Sequence, residues 1–87
     1  MDDATFLRRF KERLEQAYGG PVHLEVSAEE RTRVSVDFSG PVPRVVIGAD
    51  ALRYPGLARM FLQYALLALR KGREVDEQEF LLFLRRN

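Results

Sequence analysis

Few side chains in this 87-residue chain have the types and spacing that chemistry requires. His23 is the only histidine, and a lone imidazole acts as a general base only beside a positioned substrate or partner group. Cysteine is absent, which excludes a disulfide framework, a thiolate metal site and a cysteine nucleophile. The serines, threonines and glycines form neither a nucleophile elbow nor a phosphate-binding loop. We therefore expect no catalytic residue and no enzymatic activity.

Acidic side chains are the remaining candidates for acid–base work or metal binding. They form three groups, which are Asp2 with Asp3, Glu29 with Glu30, and Asp76 with Glu77 and Glu79. The first and third groups come at the starts of predicted helices, where capping and the helix dipole account for negative charge. The second group lies in a predicted turn. A metal site would need several converging carboxylates, because the chain has one histidine and no cysteine. We expect no metal and no cofactor.

Charge composition limits the kinds of partner that the whole chain attracts. Fourteen basic and 13 acidic residues leave a formal net charge of +1, so no global field draws the chain to nucleic acid or anionic lipid. Lysine occurs only at Lys11 and Lys71, and the other basic residues are arginines. A charged fraction of 31%, with a single asparagine and no cysteine, is compatible with a heat-adapted source.

Helices are predicted where apolar side chains recur every three or four residues. The first prediction covers residues 3–18 and ends at Gly19. The second covers residues 55–71 and ends at Gly72. Apolar residues surround most of this helix, so other parts of the protein must cover it on more than one side. The third follows a capping-box pattern at Asp76–Glu79. These helices flank or follow the segments predicted as strands.

Strands are predicted where apolar and polar residues alternate, in residues 22–27, 33–38 and 44–48. One buried and one exposed face is typical of an antiparallel meander. Val46 is the apolar residue that this alternation places on the exposed face, and either partial cover or a position at the sheet edge would explain it. The prediction is an α+β fold of order α-β-β-β-α-α, with a three-stranded antiparallel meander and the helices packed on one face.

The length predicts a single domain over residues 1–87. The first residues continue directly into an amphipathic helix, so no signal peptide is expected. The longest nearly uncharged apolar stretch, residues 60–69, is about half the ~20 residues that a membrane span requires. We therefore expect no membrane partner and a cytoplasmic location.

Apolar side chains in the last two helices exceed what a two-layer monomer is expected to cover. In Phe80–Leu84, helical projection places four residues on one broad face and Leu82 on the other. We therefore predict a non-catalytic interaction domain that forms a homodimer through its C-terminal helices. The alternatives are an unidentified protein partner and a monomer whose last helix completes the core. The predicted interface residues are Leu66, Leu69, Phe80, Leu82 and Phe83.

Nucleic-acid binding is the alternative function. The order α-β-β-β-α, with residues 21–71 covering the strands and second helix, is similar to that of double-stranded-RNA-binding domains. That resemblance implies a basic cluster at the start of the second helix, where this chain has only Arg53 and Arg59, and it does not extend to the third helix. Without such a cluster most of the electrostatic affinity for phosphate is missing. The candidate residues for this function are Arg31, Arg33, Arg44, Arg53 and Arg59.

Overall fold

A computed structural model describes residues 2–86 and confirms the α+β class and the order of the elements. The elements are α1 (Asp3–Tyr18), β1 (His23–Ser27), β2 (Val34–Asp37), β3 (Arg44–Gly48), a 3₁₀ turn (Ala49–Leu52), α2 (Pro55–Lys71) and α3 (Glu77–Arg86). The bounds of α1 and α2 are those predicted from the sequence.

Local chemistry sets where the helices begin and end. The Asp2 carboxylate accepts a hydrogen bond from the Thr5 amide at 2.7 Å, which caps the start of α1. Gly19 and Gly72 adopt left-handed conformations, with φ of 83° and 70°, at the ends of α1 and α2. A residue with a Cβ adopts this conformation only with strain, so glycine suits both C-caps.

The sheet is mixed, and the prediction of an antiparallel meander was wrong. The strand order is β1-β3-β2, with β3 parallel to β1 and antiparallel to β2. The last strand in the sequence therefore lies between the first two. Val46 belongs to this central strand, so partial cover, and not an edge position, accounts for its half-buried state. Period-two alternation identifies the face on which a side chain lies, but it carries no information about which strands are neighbours.

The connection from β1 to β2 has to cross the end of β3, and Gly48 lies at this crossing. Ser27, Gly48 and the start of β2 all lie at the same end of the sheet. A Cβ on Gly48 would collide with the backbone carbonyls of Glu30 and Arg31. The Gly48 amide donates to the Arg33 carbonyl at 2.7 Å, and the Asp50 amide donates to the Arg31 carbonyl at 3.0 Å. Glycine is therefore needed here for close backbone approach, not for an unusual φ.

The core lies between one face of the sheet and the helices. The strands contribute Val36, Val45 and Ile47, each of which is fully buried. Phe10 and Leu14 come from α1, and the buried residues of α2 are Ala58, Phe61, Ala65, Leu67, Ala68 and Leu69. These contacts cover most of the apolar surface of α2 within a single chain. Among the large apolar side chains that stay exposed in residues 2–86, Leu81 and Leu82 of α3 are the only two that are adjacent in the sequence. The others come from four different segments and are Tyr18, Val26, Tyr54 and Met60.

Candidate interaction surface

Helix α3 packs against α2 through an aromatic side chain, and a hydrogen bond from α2 holds the segment that leads into it. Phe80 is the buried residue of α3, and its ring meets that of Tyr64 edge-on at a centroid distance of 5.4 Å. The Tyr64 hydroxyl donates to the Val75 carbonyl at 2.8 Å, in the segment that leads into α3. Phe83 stacks on Phe80 at 6.5 Å. These contacts fix which side of α3 faces the domain.

Charged groups fix the first turn of α3. The Asp76 carboxylate accepts from the Glu79 amide at 2.8 Å, as the capping-box pattern predicts. The Glu79 carboxylate accepts two hydrogen bonds from Arg73, both at 2.9 Å, and lies 3.2 Å from Lys71 Nζ. These two cations, Arg73 first, lower the pKa of Glu79 to about 2. The carboxylate therefore stays ionised and ties the start of α3 to the end of α2.

The opposite side of α3 carries two neighbouring exposed leucines. Leu81 is 50% exposed and Leu82 is 55% exposed. With Gln78 and Arg85 they line a shallow depression, and these four residues are called the outer face of α3 below. The spacing i, i+3, i+4, i+7 places them on one side of the helix. A mostly apolar centre with polar ends is the arrangement expected of a small protein-contact surface.

The predicted interface residues do not share one surface. Leu82 is exposed, Leu66 and Phe83 are half-buried, and Leu69 and Phe80 are 4% and 9% exposed. Burial of Leu69 and Phe80 within the chain leaves little of their surface for a partner to cover. The sequence reasoning missed Leu81, because it grouped Leu81 with the side of Phe80. The contacts of Phe80 and Phe83 show that the docked side is narrower than the broad apolar face.

The arginines proposed to bind nucleic acid are partly neutralised by carboxylates. Arg44 lies on the exposed face of the sheet, 3.5 Å from Glu25 and 3.6 Å from Asp37. Arg44 of β3 thus pairs with a carboxylate on each neighbouring strand, as opposite charges on adjacent strands commonly do. Arg31 pairs with the Asp50 carboxylate at 2.9 Å.

The other three arginines are exposed, and they come from different segments of the chain. Arg33 precedes β2 and lines a groove with Met60, Tyr64, Glu77 and Phe80, among other residues. Arg53 and Arg59 lie just before and within the first turns of α2. Nucleic-acid binding through the five arginines stays a prediction.

His23 lies at the rim of a second depression, which Asp37 and Arg44 also line. The Asp37 carboxylate accepts from the Ser39 amide at 2.8 Å, and this hydrogen bond, together with nearby Arg44, lowers the pKa of Asp37. A carboxylate held in its ionised form is a poor proton donor. In residues 2–86 no group of three or more metal-ligating side chains comes together.

Comparisons with known proteins find no similar protein. No protein family matches this chain, and no match is found among curated proteins or solved structures. Within residues 2–86, no helix has the length and apolar character needed to cross a bilayer.

Proposed function

We propose that this chain is a non-catalytic interaction domain that forms a homodimer through the outer face of α3. The observation that carries the proposal is the pair Leu81 and Leu82, which lie side by side and are each about half exposed. The same helix already docks its other side through Phe80, so these leucines are not needed to hold α3 in place. Apolar side chains that cluster on a surface mark contact sites more often than scattered ones do.

Burial within the chain favours a contact surface on α3 alone over one that includes both C-terminal helices. The sheet and α1 cover most of the apolar side chains of α2, so α2 contributes little to a contact with a second chain. A second copy is the favoured occupant, because acidic residues occupy the first turn of α3 and Arg85 and Arg86 its last turn. Such a surface is complementary to a copy of itself in charge as well as in its apolar centre.

The size of the outer face predicts a weak dimer. Complete burial of an exposed leucine stabilises by about 1.5–3 kcal/mol, so a half-exposed leucine can contribute roughly 1 kcal/mol. Two chains bring four such leucines together, and association opposes them with a loss of translational and rotational freedom of about 4 kcal/mol or more. Small contacts of this kind belong to the transient class of interface. Burial of the leucines alone therefore only offsets this loss, and the net affinity depends on the charged ends of α3. We expect a weak dimer that forms only towards millimolar concentration and dissociates on dilution.

The mass in solution tests this proposal. Sedimentation equilibrium of the wild type is expected to show a concentration-dependent rise above the 10.1 kDa of one chain. Leu82→Glu places a charge at the centre of the outer face and is expected to give a monomer at every concentration. Met60→Glu is the matched control, because Met60 is 48% exposed but lies on α2 and is not one of the four residues of that face.

Two outcomes would contradict the proposal. A wild type that stays at the mass of one chain up to millimolar concentration would show that the leucines do not support a dimer. Equal loss of dimer in Leu82→Glu and Met60→Glu would show that the contact does not depend on α3 in particular. The cytoplasmic location expected from the sequence belongs to the same proposal.

A further inference from the structure

We infer that the two copies of α3 pair antiparallel, about a twofold axis that passes between Leu81 and Leu82. This inference rests on the proposed homodimer and adds the orientation and register of its contact. Helix α3 runs from Glu77 to Arg86, so its midpoint falls between the two exposed leucines. Reversal of the helix about that midpoint places Leu81 opposite Leu82 and Gln78 opposite Arg85.

Symmetry requires this kind of self-matching surface. In a twofold dimer the same patch is used by both subunits, so each residue must suit the residue that the axis brings opposite it. The four residues of the outer face meet this requirement, since leucine meets leucine at the centre and an amide meets a guanidinium at each end. Gln78 carries an amide oxygen that can accept a hydrogen bond from Arg85 of the second copy.

Uncompensated charges at the two ends of α3 favour the antiparallel orientation. Within residues 2–86, Glu77, Arg85 and Arg86 take part in no ion pair, whereas Glu79 is already paired with Arg73 and Lys71. Antiparallel pairing brings the arginine end of one helix to the first turn of the other, where Glu77 lies. The two helix dipoles are then also opposed. Parallel pairing would bring four arginine side chains together at one end, with like charges adjacent.

The register can be read with engineered cysteines, because the chain has none of its own. A disulfide needs Cα atoms within about 7 Å of each other. Positions 78 and 85 are seven residues apart, which is roughly 10 Å along a helix. In an antiparallel pair, a Gln78→Cys chain can therefore bond to an Arg85→Cys chain, but neither variant can bond to its own copy.

The experiment oxidises each single-cysteine variant alone and then the two as a mixture. The expected result is a mixed disulfide between positions 78 and 85, at least tenfold more abundant than either symmetric product. Gln16→Cys on the exposed side of α1 measures the background from random collision. Symmetric disulfides at both 78 and 85 would overturn the antiparallel inference. Yields at the Gln16→Cys level in every sample would overturn it too, because no fixed register would then exist.

Charge reversal supplies a second readout that needs no cross-link. Arg85→Glu is expected to weaken dimerisation roughly five- to tenfold, because at both ends an acidic side chain then lies opposite Gln78 and one residue from Glu77 of the second copy. Adding Glu77→Arg to the same chain is expected to restore most of the wild-type affinity. A double variant no tighter than Arg85→Glu alone would contradict the antiparallel arrangement.

The two proposals fail in distinguishable ways. If the wild type is monomeric at all concentrations, the proposed homodimer is wrong, and the antiparallel orientation is wrong with it. If Leu82→Glu abolishes a dimer whose cross-links are symmetric, the homodimer stands and only the antiparallel register is wrong.

Discussion

Phe80→Ala tests the most consequential contact of α3, its attachment to the rest of the domain. Phe80 is 9% exposed, packs edge-on against Tyr64 and stacks with Phe83. Replacement of a buried phenylalanine by alanine costs about 3–5 kcal/mol of unfolding free energy. We expect the lower end, about 3 kcal/mol, because Phe80 also lines the groove beside Met60 and neighbouring side chains can relax into the space.

The assay is urea unfolding followed by circular dichroism, at a protein concentration low enough to keep the chains monomeric. Leu82→Ala is the matched control on the same helix, because Leu82 is 55% exposed and makes little contact within the chain. A surface substitution of this kind changes the unfolding free energy by about 0.5 kcal/mol or less. The difference between the two variants therefore measures the docking of α3 separately from its helix propensity.

Equal destabilisation by Phe80→Ala and Leu82→Ala would refute the placement of α3. It would mean that the helix has no preferred docked side, and the outer face would lose its definition. A loss confined to α3, seen as unchanged global unfolding with faster amide exchange at residues 77–86, would also refute the expected magnitude, because α3 would then unfold separately from the domain.

Two further predictions follow from the backbone crossing and from the start of α3. Gly48→Ala is expected to destabilise by roughly 3 kcal/mol in the same urea assay, because its Cβ would meet backbone that cannot move aside. Gly56→Ala, which meets no atom within 4 Å, is the control, and equal effects would contradict the crossing. The Glu79 carboxyl is expected to titrate in NMR with a pKa of about 2, against an ordinary value of 4.5. Because the ionised form is favoured by folding, its stabilising contribution is complete above about pH 4.5 and lost as the pH falls towards 2. A Glu79 midpoint near 4.5, or a Glu79→Gln variant with the same acid sensitivity as the wild type, would show that its ion pairs are absent in solution.

Helix positions could be predicted from the sequence because their signals are local. Apolar spacing, the C-cap glycines and the capping box each act within a few residues of the helix that they define. Asp76 and Glu79 show the limit of such signals. The hydrogen bond from the Glu79 amide to the Asp76 carboxylate could be predicted from the sequence. The ion pairs of the Glu79 carboxylate could not, because their partners, Arg73 and Lys71, come from the preceding turn and from the end of α2.

Sheet topology could not be predicted because its determinants are not local. Alternation in β1 and β2 assigned each residue to the correct face, and that assignment is the same for a meander and for the observed order. The signal that distinguishes the two orders is Gly48, which directly follows three β-branched residues at the end of β3. It marks a close backbone approach, but the sequence does not say which segment approaches.

The candidate surface was predicted in part. Leu82 was recognised from its direction on α3, and it is exposed. Leu69 and Phe80 were predicted to be exposed, but both are buried within the chain. Small side chains on α2, such as Ala65 and Ala68, let neighbouring elements approach closely and cover more of that helix than its number of apolar residues suggested. How closely helices pack depends on the residues that face each other, which a single sequence does not reveal.

The position of β3 between β1 and β2 determines when a sheet can exist during synthesis. Until residues 44–48 have emerged from the ribosome, β1 and β2 lack the strand that lies between them in the sheet. In the folded protein β1 and β2 are about 10 Å apart, which is two strand spacings. A nascent chain that ends before Arg44 therefore has no native strand pair to form, and the sheet is complete only when the third strand lies between the other two. Release of a shortened chain at that stage would yield only an isolated helix and two unpaired hydrophobic segments.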